Sequence, residues 1–419
     1  MALGRGPGHR PGGEQSFVIG VGVHEGQGRH SHILAHSHRS DEAGDRVASP
    51  AVRIAHVSDC YAPRTGGIET QVRSLAHAQA DAGHEVHVIT ATPGHGEVRS
   101  GTDSDGPVIV HRVAANLPAE LPVHPRTGHH VRAICTDIEP GVVHVHTGVI
   151  SPFAWGGLRV AAKLDIPRVV TVHSMWGVLS RTGFAATRWG LPWRGSVVSA
   201  VSYTAAAPIE RSLSQPVAVL PNGIDPRLWP TTDRQPQSGR LSIVSVLRLA
   251  PRKRAAALVD IIAEAARRLS PDVTVHATLI GDGPERAHLQ RHINSRGLNE
   301  TIALLGRLAP AQIKDHFAVS DVFVQASVHE SFGIAALEAR TSGIPVVARA
   351  QTGAGEFIRS GVNGALADSD DGLIESLVRL AREQELLRAM RTYNIDNPPE
   401  QTWPEVLSIA DALYSRAGA

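Results

Sequence analysis

The chain has 419 residues, 42% of them hydrophobic, with a formal net charge of +1 and only two cysteines, Cys60 and Cys135. The length exceeds what one simple core needs, so two domains are expected, and the balanced charge argues against non-specific nucleic-acid binding. Two cysteines make no disulfide framework, which fits a reducing cytoplasm, and no apolar run is long enough to span a bilayer.

Residues 1–50 are rich in Gly, Ser, Arg and His and are expected to form a disordered leader, with a native start near Val52 as the alternative. His30, His32, His36 and His38 alternate, which suggests a metal tract but is outweighed by the leader reading. Residues 17–23 are short, broken by glycine and wrongly flanked for a signal peptide. From residue 52 the pattern changes. Residues 52–58 alternate as a strand, a loop containing Gly66 and Gly67 follows, and the spacing predicts a helix over 70–82 and a strand over 85–90. Paired glycines let backbone approach a ligand closely. This is not a dinucleotide fingerprint, because the third glycine and the acidic end of the second strand are missing. Read alone, the pair is equally a tight strand-to-helix turn.

Strands are predicted over 108–113, 142–146, 168–173 and 196–202, in an α/β rhythm that implies a parallel, doubly wound sheet. His144 and His146 share a strand face. His146 and His173 close their strands at the carboxyl ends, where ligands gather, although a strand-end histidine is commonly just a satisfied hydrogen-bonder. Residues 176–194 combine Trp176, Phe184, Trp189 and Trp193 with Arg181, Arg188 and Arg194. That mixture suits a membrane-surface or lipid-acceptor groove, or a helix packed under the domain with solvated arginines. Pro192 breaks the run and weakens the first reading.

Pro221-Asn222-Gly223-Ile224-Asp225 is a turn, and the polar stretch 231–239 reads as a linker, which places a boundary near residue 230. A buried-type strand over 241–247 leads into Arg248, Lys253 and Arg254. Two cations five residues apart on a strand-end loop suit two phosphates, Arg248 as a fork and Lys253 as a point charge. Alone, such a run is also an ordinary solvated face. Strands over 275–280 and 302–308 follow, then 321–325 and the stretch from Ser327 through Glu330, Phe332, Gly333 and Ile334 to Glu338. Glu330 and Glu338 are eight apart, one in the loop and one in the helix, and are expected to face one crevice. Free N–H groups at a helix start suit a phosphate or sugar oxygen, and carboxylates accept from hydroxyls. A nucleotide sugar has both.

The Glu330-to-Glu338 stretch is followed, in order and spacing, by residues 343–348 (Gly-Ile-Pro-Val-Val-Ala), 352–356 (Thr-Gly-Ala-Gly-Glu) and 360–364 (Ser-Gly-Val-Asn-Gly). The set resembles the Glu-x7-Glu signature of retaining glycosyltransferases of the GT-B fold, in particular glycosyltransferase family 4. The resemblance covers roughly residues 52–416, more strongly in the second half. It implies two doubly wound Rossmann-like α/β domains facing a central cleft: an acceptor domain at 51–230, a nucleotide-sugar domain at 231–400, and a final helix at 401–419 that crosses back, anchored by Trp403. It implies that Gly66 and Gly67 border the donor phosphate and that His146, with His173 as second candidate, touches the transferred sugar. Arg248 and Lys253 would hold the diphosphate, with Arg307 and Leu308 beside the base. Glu330, with the backbone of Phe332, Gly333 and Ile334, would meet sugar and phosphate, and Glu338 the ribose. Two departures stand out: Leu247 replaces a glycine before the arginine and Arg254 a glycine after the lysine, which leaves open whether Lys253 or Arg254 meets the phosphate.

The expected activity is metal-independent transfer of a hexose-type sugar from a UDP-, GDP- or ADP-sugar to a hydroxyl, with retention and without a cofactor. The acceptor would be a small molecule or lipid-linked, the location cytoplasmic with possible peripheral membrane contact. The alternatives are a nucleotide-sugar 2-epimerase of the same architecture and a non-catalytic sugar-nucleotide binding protein.

Overall fold

Val- and Ile-rich runs build two separate sheets in the computed structural model, which describes residues 51–94, 99–115, 121–175, 190–232 and 234–419. The leader with its alternating histidines, and Trp176, Arg181, Phe184, Arg188 and Trp189, lie outside these residues. The strands of the first sheet are β1 (Arg53–Ser58), β2 (Glu85–Thr90), β3 (Gly101–Asp105), β4 (Val108–Arg112), β5 (Val142–Thr147), β6 (Arg168–Val172), β7 (Val197–Ala200) and β8 (Val217–Val219). Their spatial order is β3-β4-β2-β1-β5-β6-β7-β8. The second sheet comprises β9 (Arg240–Val246), β10 (Thr274–Ile280), β11 (Ile302–Gly306), β12 (Val322–Gln325), β13 (Val346–Arg349) and β14 (Gly364–Ala367), ordered β11-β10-β9-β12-β13-β14. Every pairing is parallel except that of β3 with β4. These are two doubly wound Rossmann-like sheets.

In each sheet the winding reverses beside the first strand. β1 lies between β2 and β5, and β9 lies between β10 and β12. Such switch points open a crevice at the carboxyl ends of the strands. The loop after β1 ends in Gly66, with Gly67 opening the next helix, and the loop after β9 carries Arg248 and Lys253.

The helices in chain order are α1 (Gly67–Asp81), α2 (Thr127–Ile138), α3 (Pro152–Lys163), α4 (Tyr203–Leu213), α5 (Ala255–Leu269), α6 (Arg286–Ser295), α7 (Pro310–Ala318), α8 (Ile334–Thr341), α9 (Asp370–Arg382), α10 (Gln384–Asp396) and α11 (Trp403–Ala417). α1 begins three residues before the predicted start, because Gly66 takes the N-cap position in an extended conformation. Trp193 is buried in the first core with Phe153, Leu158 and Ile209. α11 buries Val406, Ala410, Leu413 and Tyr414, an i, i+4, i+7, i+8 stripe. That stripe packs on Ile54, Val142, Val169 and Leu220 of the first sheet and its turn. The ring of Trp403 lies over Gly223, where a Cβ would stand only 2.5 Å from it.

Candidate active site

The loop between β12 and α8 is pinned from two sides. Gly333 has φ +95°, a left-handed conformation that favours glycine, and a Cβ there would lie 3.3 Å from the Gln325 side chain. The Gly353 N–H donates to the Glu330 carbonyl at 2.9 Å. A Cβ at Gly353 would meet the Ser331 carbonyl at 2.3 Å, so the 352–356 segment can sit against this loop only with glycine at 353. Phe332 is buried, its ring 5.6 Å from that of Phe357. Leu308 and Ile334 border the same cluster.

The loop after β9 meets this one. The Lys253 ammonium lies 2.5 Å from the Glu330 carboxylate. Arg254 turns away. Its guanidinium holds both oxygens of Asp370, at 2.9 and 2.7 Å, and donates to the Ala326 carbonyl at 3.1 Å. Its backbone has φ +56°, the conformation a glycine would hold at no cost. The Arg248 side chain is exposed, and its guanidinium has no hydrogen-bond or ion-pair partner among the described residues. The Glu338 carboxylate, half-buried within α8, also lacks such a partner there, and burial pushes it up to about 8. Partial desolvation with no cation nearby favours the protonated form of the acid.

Residues of the two sheets meet around this loop. Ser331 Oγ donates to the His173 carbonyl at 2.7 Å, and Ser202 Oγ donates to the Ser331 carbonyl at 2.5 Å. Arg307 donates to Thr65 Oγ1 at 2.9 Å. A Cβ on Gly67 would lie 3.7 Å from Ile334, and one on Gly66 would collide with the Glu69 carboxylate. The Glu356 carboxylate accepts the backbone N–H groups of Tyr203 and Thr204, at 3.0 and 2.7 Å.

His146 is buried, and both its ring nitrogens are bonded: Nε2 to His56 Nδ1 at 2.9 Å and Nδ1 to His173 Nε2 at 3.0 Å. His173 is half-buried, and its Nδ1 has no partner among the described residues. In this structure His173, rather than His146, has a nitrogen to offer a ligand.

The profile described as Glycosyltransferase Family 4 matches residues 65–228, and the one described as Glycosyl transferases group 1 matches residues 232–396. The chain is 25% identical over 387 residues to a phosphatidylinositol N-acetylglucosaminyltransferase subunit of Arabidopsis thaliana, covering 88% of this chain and 83% of that protein. It is 25% identical over 369 residues to alpha-monoglucosyldiacylglycerol synthase of Acholeplasma laidlawii, covering 80% and 90%. The crystal structure of Anabaena HepE in complex with UDP and glucose superposes with a TM-score of 0.68 at 20% identity, over 87% of this chain and 100% of that one. This chain is a glycosyltransferase with the GT-B fold.

Sequence reasoning did not single out several residues that organise this glycosyltransferase. His56, Gln79 and Tyr414 join the histidines in one buried network, and Ser202 and Glu356 tie α4 to the second sheet. The His56 signal was available, since β1 pairs with β5 and places His56 beside His144. Gln79 and Tyr414 are 335 residues apart, and no local pattern announces their contact. His56, His144 and His146 are also close enough to suggest a metal site. The ring nitrogens of all three, however, are engaged in hydrogen bonds. The 2.9 Å between His56 and His146 is a hydrogen bond, whereas two nitrogens on one tetrahedral zinc stand about 3.3 Å apart.

Proposed function

We propose that this glycosyltransferase moves a hexose from a nucleotide-diphosphate sugar to a hydroxyl acceptor, with retention of anomeric configuration and without a metal. The observation that carries this reading is the Lys253–Glu330 contact, made where the loop after the switch-point strand β9 meets the start of α8. A cation and a sugar-binding carboxylate are thereby held side by side, with the exposed Arg248 as a second cation on the same loop.

Breaking the sugar–phosphate bond builds negative charge on the leaving diphosphate. Cations fixed there bind the transition state more tightly than the ground state, and only that difference accelerates the reaction. Lys253 is assigned to one phosphate and Arg248 to the other, while Arg254 is committed to Asp370. Glu338 is assigned to the ribose hydroxyls, and Glu330 to the sugar together with the backbone of Phe332, Gly333 and Ile334. Arg307 and Leu308 stand beside the base. Gly66 and Gly67, at the start of α1, border the phosphate and acceptor. His173, with His146 behind it, meets the transferred sugar. Front-face attack, with the departing phosphate taking the acceptor proton, needs no enzyme carboxylate as nucleophile.

Both relatives named above carry a lipid in their names, phosphatidylinositol in one and a glucosyldiacylglycerol in the other, so a lipid hydroxyl is a proposed acceptor class, reached from the membrane surface on a cytoplasmic face. Among the described residues no helix is long and apolar enough to cross a membrane. The experiment is a panel of UDP-, GDP- and ADP-sugars scored by thermal shift. Slow hydrolysis of the best donor follows, with and without chelator, and the anomer released is read by proton NMR. Absence of any stabilising donor sinks the proposal. An inverted product or loss of turnover with chelator sinks retention or metal independence separately.

A further inference from the structure

We propose that Gln79 and Tyr414 are positioning residues, which through one buried hydrogen-bond chain hold His146 and His173 as the Nε2–H tautomer. The chain runs without a gap. Ser199 Oγ lies 3.4 Å from the Val170 carbonyl and 2.8 Å from Thr171 Oγ1, which is 2.7 Å from His144 Nε2. His144 Nδ1 lies 2.9 Å from the Tyr414 hydroxyl, which is 2.7 Å from Gln79 Nε2. Gln79 Oε1 lies 2.7 Å from His56 Nε2, and from there the chain passes through His146 to His173. Apart from the half-buried His173, every side chain in it is buried.

One end fixes the direction of every bond. The Val170 carbonyl can only accept, so Ser199 donates to it and accepts from Thr171. Thr171 then accepts from His144 Nε2–H, which leaves His144 Nδ1 bare to accept from the Tyr414 hydroxyl. Tyr414 accepts from the Gln79 amide N–H, and the Gln79 carbonyl accepts from His56 Nε2–H. His56 Nδ1 is then bare and accepts from His146 Nε2–H, and His146 Nδ1 accepts from His173 Nε2–H. Burial lowers all four histidines below their ordinary values, His56 and His173 to about 4, so each ring carries a single proton at neutral pH. One polarity therefore gives four Nε2–H rings, and the reverse polarity gives four Nδ1–H rings. Because the chain ends on a carbonyl it cannot pass a proton onward. It orients the rings and leaves His173 Nδ1 as an acceptor for a sugar hydroxyl. The last point rests on the function proposed above; the polarity does not.

The test is the long-range proton–nitrogen spectrum of the full chain labelled with ring-15N histidine at pH 7.5, the four signals assigned with single His→Asn variants. The wild type is expected to show all four rings as Nε2–H without any donor present. Tyr414→Phe and Gln79→Met each cut the chain at a different residue. Both should leave His144 as Nε2–H, held from the Val170 end, and let His56, His146 and His173 mix tautomers. In turnover, both should lower kcat about tenfold at unchanged donor KM. Nδ1–H or cationic rings in the wild type, or four unchanged rings in a folded variant, overturn the proposal. Should either variant fail to fold, the wild-type spectrum still decides. A wild type that binds no nucleotide sugar overturns the proposed function and leaves this spectrum as it was.

Discussion

The ammonium of Lys253 and the carboxylate of Glu330 stand 2.5 Å apart, which joins the loop after β9 to the loop before α8. In the function proposed above, a diphosphate arriving at Lys253 would meet a cation already oriented by an acid, with the acid left to face the sugar. Lys253→Ala is expected to weaken donor binding and to lower kcat by roughly 10²-fold, the scale of one lost charge-stabilising donor. Calorimetric titration with nucleotide diphosphate and initial rates measure both. Wild-type affinity together with wild-type rate would remove Lys253 from the site.

Glu338 gives a pH dependence of definite sign. Its carboxyl is pushed up to about 8 by burial, so it is protonated in the free protein below that value. If Glu338 receives the ribose as proposed, the hydroxyls donate to its ionised form and binding releases a proton. Donor affinity is expected to fall about tenfold per pH unit as pH drops below 8, and Glu338→Gln should flatten that slope. In the free protein the same group costs stability as pH rises from its ordinary value of 4.5 to about 8, and the Gln variant removes this loss. Equal slopes in the two proteins would rule out the ribose assignment.

Ser202 caps α4 by accepting the Ala205 N–H, and Glu356, from the turn after β13, takes two more backbone N–H groups that the helix cannot pair internally. Glu356→Ala is expected to cost about 1 kcal/mol in urea unfolding, and Glu356→Gln less, because the amide oxygen still accepts one bond. Donor KM should rise in the Ala variant, since the same contact holds α4 against the signature loop. Unchanged unfolding in both would make the contact energetically idle.

Arg254 sits at φ +56° and is held by Asp370. Removing the guanidinium loses the pair in any variant, but only glycine also relieves the backbone. Arg254→Gly is therefore expected to be more stable than Arg254→Ala by about 1 kcal/mol, read by thermal or urea unfolding. Equal stabilities would show that the loop moves when the pair is lost.

The strands of both sheets were legible where branched apolar residues ran together, as in β2 and β9. β3 was not, because Gly-Thr-Asp-Ser-Asp is exposed and polar and is held only by its partner β4. β8 and β14 were too short, or too rich in small residues, to register as strands. At the site, local spacing placed Glu330 in the loop and Glu338 in the helix, while the cation across from them was expected only from the family resemblance. The sequence could not separate Lys253 from Arg254, since the difference is made by Asp370, 116 residues away. Nor could it tell which histidine keeps a free nitrogen, which depends on His56 filling the place behind His146.

The stripe on α11 has a consequence for how the molecule comes together. Ile54, Val142, Val169 and Leu220 are all made before residue 230, yet their cover arrives with residues 403–417. A fragment ending near residue 230 would carry a bare oily face and should clump, whereas supplying α11 in trans as a peptide should restore it to solution. During synthesis, the earliest sheet to be translated is the last to be finished.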